Sequence, residues 1–234
     1  MDPATQPIIA ALRARRSVRK FRAEHPGRER IAALVELATC APSASNKQPW
    51  RFFVVDDRAL LARMAVQVQA AIDRLTERIP PEHRDDLRAY GDYFVRFANA
   101  PVVIAPACRE SPVLSHLLAE GPVDVHLTQV RTMESVSPIL ATGMAVQNLL
   151  LAAQADGLGA SCLTGPLIAA DALQVLLGIP ASWQLACLVA VGIPDEQPLP
   201  TSRKPVTTAL RWVDPAVRAG DSGDGARPMD QEQA

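Results

Sequence analysis

Apolar residues recur at helical spacing along much of the chain, and prolines and glycines interrupt the pattern. In segment 28–40, for example, Ile31 and Leu34 fall on one face of a helix. Pro42 follows that segment and cannot continue it. The same spacing predicts further helices over 6–16, 60–78, 82–98 and 171–177.

Short runs of β-branched, aromatic and other apolar residues predict the strands of a sheet. The run from Trp50 to Val55 is compact and is followed by two aspartates, which end it. Similar runs predict buried strands over 102–104, 159–163 and 184–191, the last as one uninterrupted strand. Residues 111–133 have weak periodicity and predict no clear element.

The strongest predicted helix covers residues 137–156. Ser137 is its candidate N-cap, Pro138 falls in its first turn, and Gly157 follows its last residue. Its apolar residues run almost all the way round, which predicts a central, buried helix. Polar residues such as Gln147 break this apolar stretch, so it is too short and too polar to span a bilayer.

The alternation of helices with a few buried strands predicts one α+β domain over residues 1–213. The tail from residue 214 to 234 is rich in Gly, Asp, Gln and Pro, and we expect it to be disordered. Hydrophobic residues make up 48% of the chain and charged residues 21%, as in a globular protein. The net charge of -1 argues against a nucleic-acid binder.

Cysteine and histidine spacing argues against disulfides and metal sites. The four cysteines are far apart with no CxxC pair, and the four histidines form no HExxH or other ligand spacing. The opening Met-Asp-Pro has no apolar core of a signal peptide. These features favour free thiols in a reducing cytoplasm, without a metal and without membrane insertion.

Basic residues cluster near the N-terminus, in the sequence Arg15-Arg16-Ser17-Val18-Arg19. In an extended segment, alternate side chains point the same way, so Arg15, Ser17 and Arg19 could converge on one anion. The alternative is a solvated helix end, where arginines complement the helix dipole. Composition alone favours this alternative.

A second polar segment, Ala41-Pro42-Ser43-Ala44-Ser45-Asn46-Lys47-Gln48-Pro49-Trp50, leads into the first strand. Asn46 and Gln48 can both donate and accept hydrogen bonds along the edge of a flat heteroaromatic ring. The alternative is a polar connection with a helix-ending proline and a core tryptophan.

Both segments resemble the opening of the nitroreductase family of FMN-dependent oxidoreductases, in the same order and at the same separation. The resemblance continues through Gln147-Asn148-Leu149-Leu150, Gly157-Leu158-Gly159, Val191-Gly192-Ile193-Pro194 and Ser202-Arg203-Lys204-Pro205. It covers about residues 8–211 and implies the nitroreductase-like fold, a mostly antiparallel central sheet flanked by helices, in an intertwined homodimer.

The resemblance also implies non-covalent FMN at the dimer interface. The phosphate, the ribityl chain and part of the ring would be held from one subunit by Arg15, Arg16, Ser17 and Arg19. The ring would be lined from the other subunit by Pro42, Ser43, Ala44 and Asn46, with Gln48 beside them. The loop near flavin N5 would be Cys162, Leu163, Thr164 and Gly165, with Thr164 and Gly165 nearest. Arg203 would complete the phosphate site, and Lys204 could replace a family lysine where this chain has Thr201.

The implied reaction is ping-pong: NAD(P)H reduces FMN, and a nitroaromatic, quinone or enone acceptor then takes the electrons on the same face. Segments 80–99 and 108–135 would form the cap that sets acceptor specificity. The flavin carries the chemistry, so no catalytic side chain is expected, and His116, His126 and Glu134 are interpreted as surface or pocket residues. The alternatives are a flavin-fragmenting or dehalogenating relative, a non-catalytic FMN-binding protein, and a scaffold without cofactor.

Overall fold

The computed structural model of the chain describes residues 6–118 and 125–213. Its contacts divide it into two units, Met1–Pro198 and Leu199–Ala234. The described part of the first unit contains the helices α1 (Gln6–Ala14), α2 (Arg28–Thr39), α3 (Arg58–Arg78), α4 (Arg84–Gly91), α5 (Leu114–Leu117), α6 (Val125–Ala155) and α7 (Ala170–Leu177). Its strands are β1 (Trp50–Val55), β2 (Val102–Cys108), β3 (Gly159–Leu163), β4 (Gln184–Leu185) and β5 (Leu188–Gly192). The described part of the second unit contains α8 (Val206–Ala209), and the tail predicted over 214–234 lies outside the described residues.

The strands form one sheet in the order β1-β2-β5-β3, and β4 also pairs with β2. All of these strand pairs are antiparallel. The strands therefore alternate in direction, so β1 begins at the end of the sheet where β2 and β3 finish. The predicted antiparallel sheet flanked by helices is confirmed.

Alternate residues of the central strands face two separate cores. Ile104 and Val189 pack with α2 and α6 on one face, whereas Val103 and Leu188 pack with α3 and α7 on the other. Successive strand residues point to opposite faces, so a strand covered on both sides is apolar throughout. The continuous apolar runs in the sequence have this cause.

Helix α6 is longer than predicted, and the predicted start at Ser137 is wrong. The helix begins at Val125, so Ser137 is not an N-cap and Pro138 lies inside the helix. Proline lacks the N–H that would bond to the carbonyl four residues earlier, so it is far commoner in a first turn. The residues that follow, including Ala145 and Leu149, are buried in the core. By length and composition His126–Ala155 could cross a membrane, but it packs against α2 and the sheet as the core helix.

The strand predicted over 184–191 is also wrong in one respect, since it is split into β4 and β5. Ala107 pairs with Leu185 and Ile104 pairs with Val189, so two residues of β2 oppose three of the other chain segment. This extra residue creates a β-bulge at residues 186–187. Pro106 stands opposite the bulge, accepts a 2.9 Å bond from the Ala186 N–H and has no N–H of its own to donate.

The helix predicted over 82–98 is interrupted. It begins as a 3₁₀ turn at Pro81–His83, continues as α4 and ends at Gly91, and a second 3₁₀ turn covers Arg96–Asn99. A Cβ on Gly91 would stand 2.8 Å from a side-chain carbon of Ile72 in α3. The close approach of α3 and α4 therefore requires glycine at the point where the helix ends.

Candidate functional site

The basic segment 15–21 lies against the outer edge of β3. Ser17 bridges Ala160 of β3, and the Val18 N–H donates a 3.1 Å hydrogen bond to the Ala160 carbonyl. Further on, Phe21 bridges Pro194, just after β5. The segment is therefore positioned by the sheet and does not simply extend α1.

Two glycines of the motifs quoted above, Gly159 and Gly192, lie beneath this segment. Gly159 and Gly192 stand opposite each other in β3 and β5. A Cβ on Gly159 would come within 2.7 Å of Val18, and one on Gly192 within 3.0 Å of Phe21. The distance to Val18 is too short for real carbon atoms, so the segment can pack on β3 only because Gly159 lacks a side chain. The distance to Phe21 is tight, and a Cβ on Gly192 would also stand 2.7 Å from the ring of Pro101.

The arginines of the segment have different surroundings. The Arg16 guanidinium donates to the carbonyls of Arg13, at 2.6 Å, and Arg15, at 2.9 Å, at the end of α1. The Arg16 side chain therefore binds carbonyls at the end of α1, as expected from the alternative interpretation of a helix end. Within the described residues, no carboxylate forms an ion pair with Arg15 or Arg19. Those two guanidinium groups remain available to an anion.

The Glu196 side chain binds the backbone at Arg19 and Lys20. Its Oε1 accepts hydrogen bonds from the N–H groups of Arg19, at 2.5 Å, and Lys20, at 2.9 Å. The Lys20 carbonyl in turn accepts from the Asp195 N–H at 3.0 Å. The side chain of Arg19 is left exposed, while its main chain is fixed from the loop after β5.

The loop before β1 is conformationally strained. Ser45, Asn46 and Gln48 have φ values of 53°, 51° and 46°. Residues other than glycine rarely adopt this left-handed region, and each costs about 1–3 kcal/mol unless its surroundings enforce it. Such strain often concentrates at functional sites, which singles out this loop.

Hydrogen bonds within the loop maintain this conformation. The Ser43 hydroxyl accepts from the Gln48 N–H at 3.0 Å, and the Gln48 side-chain amide donates to Asn46 Oδ1 at 3.2 Å. The Lys47 ammonium donates to the Ser111 carbonyl at 3.3 Å. Pro42 and Ala44 are exposed beside them. The predicted ring-contacting residues of this loop are thus brought together.

The loop predicted to approach flavin N5 follows β3. Leu163 is the last residue of that strand, and Thr164 is exposed and accepts from the Leu167 N–H at 2.9 Å. A Cβ on Gly165 would overlap the ring of Phe94, at 2.1 Å. Phe94 belongs to the first predicted cap segment, so this segment packs directly on the loop.

A pocket of about 360 Å³ lies beside the strained loop. The sequence did not identify its basic groups, Lys47 and Arg109. Arg109 follows β2 directly, and its guanidinium stands 5.4 Å from the ring centroid of Trp183. The other lining residues are Ala44, Ser45, Pro49, Ser111, Val113, Leu114, Met133, Glu134, Ser137, Pro138 and Ala141. Most come from the loop before β1, the second predicted cap segment and α6.

Glu134 of α6 forms hydrogen bonds to the backbone of the pocket wall. Its Oε1 accepts from the N–H groups of Val113 and Leu114, both at 2.8 Å. The pKa of Glu134 is lowered to about 2, chiefly by a hydrogen bond from the Ser115 hydroxyl and further by these N–H groups. Partial burial acts in the opposite direction and raises the pKa. The sequence interpretation placed Glu134 at the surface or in the pocket lining, and the structure places it in the lining.

We expect Glu134→Gln to loosen residues 113–118, because an amide is a weaker acceptor than a carboxylate. The carboxylate has a folded-state pKa below its unfolded value, so its stabilising effect is complete above about pH 4.5 and is lost as the pH falls towards about 2. Amide hydrogen exchange of the Val113 and Leu114 N–H groups should be faster in the variant at pH 7. The difference from wild type should shrink near pH 3, after correction for intrinsic rates. Equal protection at pH 7 would contradict this role.

The two edges of the sheet separate the predicted site residues of one chain. Ser17 lies beyond β3 and the strained loop precedes β1, so four strand spacings of about 4.8 Å, about 19 Å in total, lie between them. Ser17 and the loop after β3 share one edge, and Asn46 and the pocket lie at the other. Arg203 and Lys204 are exposed residues of the second unit, so their contribution stays a prediction.

Comparison with known proteins gives a consistent family. The Nitroreductase family model matches residues 12–193. A 5,6-dimethylbenzimidazole synthase from Rhodospirillum rubrum is 31% identical over 85% of this chain and 88% of its own. An NADH dehydrogenase from Thermus thermophilus is 28% identical over 89% and 98%. An iodotyrosine deiodinase from Thermotoga neapolitana is 30% identical over 78% and 86%.

Solved structures with this fold include a BluB-like flavoprotein from Clostridium difficile, with a TM-score of 0.77 and 23% identity over 92% of this chain and all of its own. A nitroreductase with bound FMN from Desulfitobacterium hafniense has a TM-score of 0.64 and 21% identity over 89% and 98%. These likenesses establish the predicted fold.

Proposed function

Since this chain belongs to the nitroreductase family, we propose that it is a cytoplasmic oxidoreductase that binds FMN non-covalently and uses NADH or NADPH as electron donor. The acceptor is a small electrophile such as a nitroaromatic, a quinone or an enone. When bound, FMN supplies the hydride and electron transfer, and the protein supplies binding and orientation.

The observation that carries the proposal is the packing of segment 15–19 beside the loop after β3. Ser17 bridges Ala160, and Cys162–Gly165 begins two residues later. Arg15 and Arg19 carry no carboxylate partner among the described residues. The donor set fits a phosphate, since two guanidinium groups and a hydroxyl provide charge-assisted hydrogen bonds. Arg203 and Lys204 are proposed to add to it.

The second half of the site is proposed to come from another copy of the chain. About 19 Å separates the two polar segments within one chain. Helices α1 and α6 also expose apolar residues: Ile8, Leu12, Met133, Val136 and Leu140. A homodimer would bury this surface and bring Pro42–Asn46 of one chain to Arg15–Arg19 of the other.

The pocket between the strained loop and α6 is the proposed acceptor site. Apolar groups such as Val113, Leu114 and Met133 suit a flat organic molecule, and Lys47 and Arg109 provide positive charge. Both predicted cap segments contact the predicted flavin-binding loops, through Phe94 at Gly165 and through Lys47 at Ser111. This arrangement supports a specificity role for the caps.

The proposal is tested by purifying the protein, recording its flavin absorbance and adding NADH or NADPH without oxygen. We expect bound FMN, loss of the oxidised flavin spectrum with at least one donor, and its recovery when menadione or a nitroaromatic is added. FMN that stays oxidised with both donors would leave the chain as a flavin-binding protein without this activity. A protein that takes up no FMN would refute the cofactor assignment.

A second candidate is a reaction in which FMN itself is consumed, or one dedicated to a halogenated substrate. The similarity to a 5,6-dimethylbenzimidazole synthase and to an iodotyrosine deiodinase favours this candidate. After chemical reduction, admission of air should then release 5,6-dimethylbenzimidazole, or anaerobic addition of iodotyrosine should release iodide. Simple reoxidation with intact FMN and no iodide release would favour the first candidate.

A further inference from the structure

Three cysteines lie on a diagonal across the sheet, on the face covered by α6. Cys108 ends β2, Cys187 lies in the β-bulge before β5, and Cys162 is near the end of β3. Cys187 belongs to the same apolar cluster as Ala160 and Val189, which identifies the face. The proposed function assigns Cys162 only as part of a loop and does not use its thiol.

The β-bulge brings Cys187 towards Cys162. Cys162 pairs directly with Val189, and Cys187 is two residues before Val189, so both thiols lie on the same face at a diagonal of the β3–β5 ladder. A bulge re-aims the side chain at its extra residue, and Cys187 occupies this position. The register therefore makes the two cysteines neighbours on adjacent segments of the sheet.

The two cysteines differ in accessibility and in acidity. Cys162 is exposed, whereas Cys187 is 5% exposed. Interaction with the neighbouring Cys187 thiol lowers the pKa of Cys162, against the effect of partial burial. The Cys162 sulfur and burial together raise the pKa of Cys187. An accessible, more acidic thiol in front of a buried one is the arrangement of a reactive cysteine and its resolving partner.

We propose that Cys162 and Cys187 form a peroxide-sensitive dithiol site, in which Cys162 is the attacking cysteine and Cys187 the resolving one. The Cys162 thiolate attacks a hydroperoxide, so an S–O bond forms, the O–O bond breaks, and water or an alcohol leaves after protonation. The Cys187 sulfur then attacks the sulfenic sulfur, the S–S bond forms, and the S–O bond breaks with loss of water. Two thiols are oxidised by two electrons, and one hydroperoxide is reduced.

The disulfide would tie the start of loop 162–165 to the bulge. Thr164 and Gly165 follow Cys162 closely in the chain, and the ring of Phe94 packs against Gly165. Oxidation therefore changes the loop that the cap segment 80–99 rests on. A protein in which this site is oxidised should bind FMN more weakly, a consequence that rests on the proposed function.

The test treats the purified full-length protein, with and without FMN, with one equivalent of hydrogen peroxide. Intact mass should fall by about 2 Da, and non-reducing peptide mapping should find Cys162 linked to Cys187. Cys187→Ser should stop the reaction at a sulfenic acid on Cys162, trapped by dimedone, and Cys162→Ser should prevent both products. Dithiothreitol should restore the original mass.

Cys40 provides the matched control. It is also exposed, but it stands at the end of α2 with its thiol 3.8 Å from the Glu36 carbonyl. Iodoacetamide at pH 7 should label Cys162 severalfold faster than Cys40, and Cys187→Ala should remove this advantage. Equal labelling of both cysteines, a Cys108–Cys187 linkage, or no mass loss would overturn the proposal. The effect of bound FMN on the oxidation rate tests only the flavin site. The dithiol proposal and the proposed function can therefore fail independently of each other.

Discussion

Replacing both Arg15 and Arg19 with alanine should abolish FMN retention during purification. Each charge-assisted hydrogen bond to a phosphate contributes about 1.5–3 kcal/mol, which corresponds to about 10- to 150-fold in affinity. Neither guanidinium is paired with a carboxylate among the described residues, so the substitutions leave no buried partner behind. Fluorescence titration with FMN should show a Kd raised by at least about 100-fold in the double variant.

The control for charge is Arg74→Ala, on an exposed position of α3 away from the site. It removes one arginine without touching segment 15–19, and FMN affinity should stay within about twofold of wild type, because surface substitutions usually change free energies by at most about 0.5 kcal/mol. Equal affinity of the double variant and Arg74→Ala would refute the phosphate assignment.

The same variant reveals whether two chains share each site. When the Arg15→Ala, Arg19→Ala chain is co-expressed with an Asn46→Ala chain, a shared site leaves each mixed dimer with one site built entirely from wild-type segments. Mixed dimers isolated by two tags should then bind about half the FMN of wild type, because only one of their two sites is intact. Sites confined to one chain would give no recovery, because every chain carries a defect.

Gly159→Ala should displace segment 15–21 from the sheet. The new Cβ would stand 2.7 Å from Cγ1 and 2.8 Å from Cβ of Val18, and neither atom is the far end of a flexible chain. Overpacking of this kind costs about 1–3 kcal/mol, which lowers Tm by about 2–4 °C for each kcal/mol in a chain of this size. FMN affinity should fall together with stability, because Val18 lies between Ser17 and Arg19. Thermal unfolding and FMN titration of the same sample measure both.

Ala62→Ser is the control for this substitution. Ala62 is an exposed residue of α3, away from segment 15–21. Surface substitutions usually change the free energy of unfolding by at most about 0.5 kcal/mol, so Tm should stay within about 2 °C of wild type. An FMN affinity that is normal in Gly159→Ala would show that packing on β3 does not position the arginines.

Local patterns predicted most of the elements. Helix α2 ends within one residue of its predicted boundary, and β1 and β3 have their predicted bounds. These elements have clear periodicity and end at residues such as Pro42 that stop them. Elements whose boundaries depend on distant partners were predicted less well. The start of α6 and the break between β4 and β5 depend on packing around Pro138 and opposite Pro106, which no local pattern reports.

By itself, the sequence determined the α+β class, the order of its elements and the two polar segments, because periodicity and turn chemistry are local properties. It also identified Gly159 and Gly192 as parts of motifs, without a reason for them. The tertiary structure supplied that reason, since only the folded sheet places Val18 and Phe21 over these glycines. It also placed the two polar segments at opposite edges of one sheet, and it brought onto one face of the sheet three cysteines that lie 54 and 25 residues apart in sequence, at positions 108, 162 and 187. Such proximities arise from strand order and register, which join residues distant in the chain.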